Sequence, residues 1–158
     1  MEYYTFIRPE ELSHIKLEDI SIKEQSVFIP AAVSKNKRDG KVGLNDKIIK
    51  FMIELGVFQH PNDYYLFGPK VSRPSAIRSD SEMFRRKWNT LVRKGLGWSD
   101  CYQFYSLKDS GLRDLANAEG IVIARDQARH SDVSTTNKYL QGRDAAVHDE
   151  TKHFKGNL

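Results

Sequence analysis

The sequence has a single cysteine, and it lacks any long run of apolar residues. Cys101, alone among 158 residues, excludes an internal disulfide and a cysteine-rich metal site. No segment approaches the roughly 18 apolar residues of a membrane span, and the first residues lack the basic and then apolar pattern of a signal peptide. Four of the five histidines show no paired metal-ligand spacing, and there is no glycine-rich phosphate loop. We therefore expect a cytoplasmic protein without membrane contact, metal or other cofactor.

The size and charge of the chain favour one globular domain with a weak preference for nucleic acid. A chain of 158 residues can bury a real core, and its apolar and charged contents are ordinary. The net charge of +4 is mildly basic, so the clustering of cations carries more information than their number. The candidate DNA-binding residues are Lys37, Arg38, Arg85, Arg86 and Lys87. Phosphate contacts would use such clusters, although each cluster fits a solvated surface equally well.

Three short segments are predicted to form an antiparallel sheet. Residues 17–22 and 26–32 alternate in polarity and are partly β-branched, and residues 41–44 read as a return strand. Asp39 and Gly40 have the composition of a hairpin turn. The sheet is therefore expected to have three strands.

The rest of the chain is predicted to be mainly helical, which gives an α+β fold class. A helix begins near Pro9, another is capped by Asn45, and a third begins after Ser79 or Ser81. Further helices are expected over residues 105–118, 122–129 and 134–141, with a last one in the tail between 144 and 154. The apolar stripes place, among others, Ile53, Leu55 and Leu91 in the core.

The run from His130 to Tyr139 carries the strongest functional signal. His130 lies nine residues before Tyr139, and Ser134-Thr135-Thr136 stands between them. This run resembles the nucleophile box of tyrosine recombinases (phage integrases), with a Bacteroides-like integrase as the suggested subgroup. The resemblance implies that Tyr139 attacks a DNA phosphate and that His130 hydrogen-bonds that phosphate. By residue type alone, a tyrosine on a helix can equally be a core residue.

Two upstream segments are similar to further boxes of that family. Arg8 follows an apolar approach and precedes a helix with Glu-Leu, as the family's first catalytic arginine does. Lys35 is followed by a basic turn and a short strand, like the family's hairpin lysine, and the resemblance implies that it protonates the leaving 5′ oxygen. Lys37 or Arg38 takes that place if the hairpin shifts register. Taken alone, Arg8 also fits a surface arginine that pairs with Glu11 or Asp19.

Tyr105 and Lys108 stand where the family usually has His-x-x-Arg, so the resemblance places both in the active site. Lys108 keeps a positive charge but lacks the two-pronged grip of a guanidinium on phosphate oxygens. The Tyr105 hydroxyl can donate a hydrogen bond but cannot shuttle protons at neutral pH as histidine does. The alternative for Lys108 is a surface position beside Asp109.

The resemblance covers nearly the whole chain and implies a site-specific DNA recombinase or integrase of a mobile element. It implies a 3′-phosphotyrosine intermediate, with double-stranded DNA attachment sites and other recombinase protomers as partners. Residues 1–158 are expected to be a single catalytic domain, incomplete at the N-terminus, whose residues 141–158 exchange between protomers. The alternative is a catalytically impaired DNA-binding relative; a phosphotyrosine topoisomerase matches the boxes less well.

Overall fold

Helices dominate the computed structural model, which describes residues 1–70 and 73–140. Short 3-10 turns lie at Leu17–Asp19 and Val57–Gln59, and a π-helical segment spans Trp88–Arg93. The helices of the described residues are α1 (Glu2–Thr5), α2 (Pro9–His14), α3 (Asp46–Glu54), α4 (Glu82–Lys87), α5 (Ser106–Glu119), α6 (Ile121–Gln127) and α7 (Val133–Leu140). Together with a three-stranded antiparallel sheet, they confirm the predicted fold class.

The sheet consists of β1 (Ile20–Ser21), β2 (Ser26–Ile29) and β3 (Gly40–Gly43), in that order. The predicted hairpin turn at Asp39-Gly40 is wrong, because Gly40 is already in β3 and pairs with Ile29. Residues 30–39 form the connection instead, and we call them the 30–39 loop.

The sequence explains why the loop is long. Pro30 directly follows β2 and has no N–H to continue the ladder. The Asp39 carboxylate accepts a hydrogen bond of 2.6 Å from the Ala31 amide and so closes the base of the loop. The residues between these two points lie outside the ladder of the sheet.

Two buried clusters form the core, and the chain passes from one to the other just before Arg8. The larger one joins the sheet with α2, α3 and α4. The smaller one comprises Phe6, Leu112, Ala124 and Ala128, with Tyr139 packed against it. Phe6 belongs to the smaller cluster and Ile7 to the larger one, so the next residue lies at their junction.

Parts of two predicted apolar stripes are exposed. Asn45 caps α3 as expected, accepting a hydrogen bond of 3.0 Å from the Ile48 amide. Ile53 and Leu55 are nevertheless 57% and 70% exposed, because the buried face of α3 is narrower than the stripe. Leu91 is 66% exposed, since it lies in the π-helical segment, where i→i+5 hydrogen bonding changes the spacing of side chains.

Two further expectations concern membranes and the C-terminal tail. Within the described ranges, no helix is both long enough and apolar enough to cross a membrane. The predicted tail, residues 141–158, with its last helix and its exchange between protomers, lies outside the described residues.

Candidate active site

Arg8 is held at the start of α2 by Glu11. Its backbone amide donates to Glu11 Oε2 over 3.2 Å, and Pro9 fills the first helical position, where no amide hydrogen is needed. Arg8 Nη1 lies 3.5 Å from Glu11 Oε1, so the pairing considered from the sequence does occur. Nη1 is nevertheless buried without a hydrogen-bond partner among residues 1–70 and 73–140. The guanidinium therefore retains a donor for a ligand.

Glu11 is a buried acceptor shared by three parts of the chain. It is 1% exposed, and it accepts hydrogen bonds from the amides of Arg8 and Lys35 and from the Arg129 guanidinium. Burial acts to raise the pKa of Glu11, but the Lys35 amide and the Arg129 charge outweigh it and hold that pKa below its usual value. An ionised Glu11 thus joins the start of α2, the 30–39 loop and the residue before His130.

Lys108 is completely buried, and its surface interpretation is wrong. It lies in the first turn of α5, where its Nζ has no hydrogen-bond partner in the described part of the chain. Burial, reinforced by the Arg8 charge, lowers the pKa of Lys108 to about 8. Nζ lies 5.7 Å from the centre of the Tyr105 ring. The site therefore contains a desolvated cation that has no polar contact to give up when a ligand arrives.

His130 and Tyr139 stack face to face. Their ring centres are 5.8 Å apart at an interplanar angle of 16°. His130 is 9% exposed, and its Nδ1 hydrogen-bonds with Thr136 Oγ1 over 2.9 Å. Burial, with Lys108 and Arg8 nearby, lowers the pKa of His130 to about 4, so the imidazole is neutral at physiological pH. The second threonine of the Thr-Thr pair thus orients the histidine.

Tyr105 hydrogen-bonds with the Tyr139 phenol. Burial, and next the Tyr139 phenol, raise the pKa of Tyr105 to about 12, so its hydroxyl stays protonated. Tyr105 is 38% exposed. Arg8 also acts electrostatically on Tyr105, so Tyr105 lies near both the Tyr139 phenol and the Arg8 charge.

Lys35 reaches the site through its backbone. Its amide donates to Glu11 Oε1 over 3.0 Å, while its side chain is exposed, as are those of Lys37 and Arg38. Arg38 lines an open cavity of about 520 Å³ together with Arg129 and His130. The side chains of all three cations of the loop are therefore exposed, and that of Arg38 shares a cavity with His130.

The α4 cations lie on a neighbouring surface. Arg85 pairs with Glu82 over 2.6 Å, and Arg86 pairs with Asp80 over 2.9 Å. Arg85 also lines a small groove with Pro9 and Tyr105, which places it beside the cluster. Lys87 is exposed.

The structure thus brings Arg8, Tyr105, Lys108, His130 and Tyr139 together, whereas the side chains of Lys35, Lys37, Arg86 and Lys87 are exposed outside this cluster. It adds three residues that the sequence analysis missed. Glu11, Thr136 and Arg129 position the others. The capping-box spacing from Arg8 to Glu11 could have indicated the first, and the Thr-Thr pair the second. In sequence, Arg129 resembles any exposed arginine. Among the described residues, no group of three or more histidine, cysteine, aspartate or glutamate side chains is arranged to hold a metal ion.

The sequence profile of the phage integrase family matches residues 1–145. The chain belongs to the phage integrase family. The predicted family is thereby confirmed, whereas the Bacteroides-like subgroup stays a prediction. No curated protein sequence matches the chain.

Solved structures show the same fold. The XerA recombinase superposes with a TM-score of 0.74 at 21% identity, covering 98% of this chain and 56% of its own. The Tn1549 transposon integrase in complex with a circular intermediate DNA gives 0.72 at 13% identity, with shares of 96% and 54%. A λ integrase dimer bound to a COC′ core site gives 0.66 at 15% identity, with shares of 94% and 53%. This phage integrase chain therefore spans about half the length of those proteins.

Proposed function

We propose that the chain is the catalytic domain of a site-specific DNA recombinase of a mobile element. It cleaves and rejoins DNA through a 3′-phosphotyrosine at Tyr139. The observation that carries the proposal is the convergence of Arg8, Lys108 and His130 beside the tyrosine that stacks on His130. Arg8 acts electrostatically on Lys108, and both cations act on His130.

The cluster suits the charge that develops at the phosphate. Attack on a phosphodiester gathers negative charge on the nonbridging oxygens, and donors fixed in a water-poor site stabilise it more than they stabilise the ground state. Arg8 Nη1 and Lys108 Nζ are buried donors without hydrogen-bond partners in the described ranges, so a phosphate can engage both without breaking existing hydrogen bonds.

The proposed step is a transesterification. The phenol oxygen of Tyr139 bonds to phosphorus, and the bond from phosphorus to the 5′ oxygen breaks. The Arg8 and Lys108 cations favour the phenolate of Tyr139, so the phenol proton passes to water. His130 hydrogen-bonds a nonbridging oxygen of the phosphate, and Lys35 gives a proton to the leaving oxygen. Because the new phosphodiester retains the energy of the old one, the reverse attack by a 5′ hydroxyl rejoins a strand without nucleotide, metal or other cofactor.

The partners follow from this chemistry. We propose double-stranded DNA attachment sites as substrate, with Lys37, Arg38, Arg85, Arg86 and Lys87 on the duplex. Further protomers assemble on the DNA, and residues 141–158 exchange between them. The reaction takes place in the cytoplasm, where bacterial and phage DNA lies.

The test is a covalent trapping assay with the full-length protein. The substrate is a nicked duplex that carries the junction between the element and its flanking DNA. The short fragment with the released 5′ hydroxyl diffuses away after cleavage, so the strand cannot be rejoined. We expect a protein–DNA adduct with the wild type and with Tyr102→Phe, a matched control for an exposed tyrosine, and none with Tyr139→Phe. An adduct that survives Tyr139→Phe excludes Tyr139 as the nucleophile. Sequence-specific binding without any adduct favours the impaired, binding-only relative.

A further inference from the structure

Arg129 adopts a backbone conformation that suits glycine. Its φ is 54°, in the left-handed region that a side chain with a Cβ rarely enters. It directly precedes His130, at the end of the turn that leads from α6. Because glycine would take this φ without strain, the contacts of the arginine side chain must offset the strain.

Those contacts join Arg129 to successive residues of the 30–39 loop. The side chain is 11% exposed, and its Nη2 bonds to Glu11 Oε2. Nη1 donates a hydrogen bond of 3.3 Å to Ser34 Oγ, and the Arg129 carbonyl accepts a hydrogen bond of 2.8 Å from Asn36 Nδ2. Glu11 itself holds the Lys35 amide. The three loop residues 34, 35 and 36 are therefore each fixed by Arg129 or by its carboxylate partner.

Gly40, the residue that follows the loop, leaves space for the aliphatic stem of the Arg129 side chain. A Cβ at Gly40 would lie 2.8 Å from Arg129 Cδ, so a side chain at this position would displace the stem. Arg129 thus contacts the middle of the loop and the first residue of the strand that follows it.

We propose that Arg129 is a positioning residue for Lys35. It fixes the first half of the 30–39 loop against Glu11 before DNA binds, which keeps Lys35 beside Arg8 and His130. Both ends of its guanidinium are already engaged, by Glu11 and by Ser34, so it acts on the loop and not on the phosphate. The inference rests on the proposed function, because it takes Lys35 as the proton donor.

The loop can be tested without DNA. Trypsin cleaves after Lys35, Lys37 and Arg38, all of them exposed. We expect Arg129→Gly to speed cleavage at these sites about tenfold, since charge-assisted hydrogen bonds are lost, and Arg129→Lys to have a smaller effect. Arg125→Ala, which removes a cation bonded to its neighbour Asp126, is the matched control and should change nothing. Unchanged loop cleavage in both Arg129 variants overturns the proposal, as does acceleration spread evenly over the whole chain.

The role of Lys35 is tested with two nicked substrates in the trapping assay. One has the natural 5′ oxygen at the cleaved bond, and the other has sulfur there, whose thiolate leaves without a proton because a thiol has a pKa of about 8.5. We expect Arg129→Gly, like Lys35→Ala, to slow cleavage of the oxygen substrate at least about tenfold and to leave the sulfur substrate unaffected. Equal slowing on both substrates overturns the positioning role. A wild type that cleaves neither substrate refutes the proposed function instead, and the trypsin assay still decides whether Arg129 fixes the loop.

Discussion

Replacing Lys108 with methionine should make the protein more stable and less active. Methionine keeps an unbranched side chain of similar volume in a site where the lysine is 0% exposed. It removes a charge that has no hydrogen-bond partner in the described residues and that lies within the field of Arg8. The substitution therefore separates the free-energy cost of the charge from its benefit to catalysis.

The magnitude follows from the pKa of Lys108. It falls from 10.5 to about 8 on folding, and 2.5 pH units at about 1.4 kcal/mol each give about 3 kcal/mol for holding the charge at pH 7. The buried Glu2 carboxyl, whose pKa burial raises to about 8 despite Lys108, is protonated at pH 7 and loses little when the lysine is removed. We expect Lys108→Met to raise the free energy of unfolding by up to about 3 kcal/mol.

The sign of the pH dependence provides a second check. In the folded state Lys108 releases its proton near pH 8, whereas in the unfolded state it does so at 10.5, so the unfolded chain binds more protons between these values. The free energy of unfolding of the wild type therefore rises with pH through this window, and the stability advantage of Lys108→Met shrinks. Urea unfolding at pH 7 and at 10.5 measures both differences, with the exposed Lys138→Met as control. The reasoning is refuted if Lys108→Met is less stable than the wild type at pH 7, or if its stability advantage does not change with pH. In the trapping assay, Lys108→Met should lower adduct formation by about 10²-fold.

Three further outcomes are expected. His130 takes up a proton near pH 4 in the folded protein but near 6.5 in the unfolded chain. The wild type should therefore lose about 3 kcal/mol of stability as the pH falls from 6.5 to 4, and His130→Gln should not. Parallel acid-unfolding curves for the two proteins would contradict this. Thr136→Val removes the hydrogen bond to the His130 ring and should cost about 1–2 kcal/mol and slow adduct formation, whereas the exposed Thr90→Val should do neither. Lys37→Ala and Lys87→Ala should each lower the slope of log affinity against log salt by about one in a DNA titration, and an unchanged slope would remove that residue from the interface.

The fold was largely predictable because its elements have local signals. The Asn45 cap and the spacing of Leu112 with its neighbours depend on residues a few positions apart. The 30–39 loop was not predictable in the same way. Asp39-Gly40 has the composition of a turn, but Gly40 pairs with Ile29 across the loop. This pairing fixes where the ladder of hydrogen bonds ends, and the residues next to Gly40 in sequence do not reveal it.

The site was predictable as a set of positions but not as an environment. The order of the boxes placed Arg8, His130 and Tyr139, whereas burial decided what each group is chemically. The resemblance placed Lys108 in the active site, but its neighbours in sequence also fit a helix-surface lysine, because the packing of α1 against α5 is a contact that no local pattern encodes. Arg129 was missed for a similar reason: its partners Glu11 and Ser34 are about a hundred residues away along the chain.

The positive charges of the cluster are stabilised in two different ways. Arg8 and Arg129 share the ionised Glu11, and this ion pair fixes their places whether or not DNA is present. Lys108 has no such hydrogen-bonded partner among the described residues, and its buried charge is stabilised only weakly, as its lowered pKa shows. A phosphate placed between Arg8 and Lys108 would supply the missing negative charge and raise the pKa of Lys108 toward its ordinary value. Binding of DNA and protonation of Lys108 are therefore linked, so the lysine is held most firmly as a cation when the phosphate is in place to be cleaved.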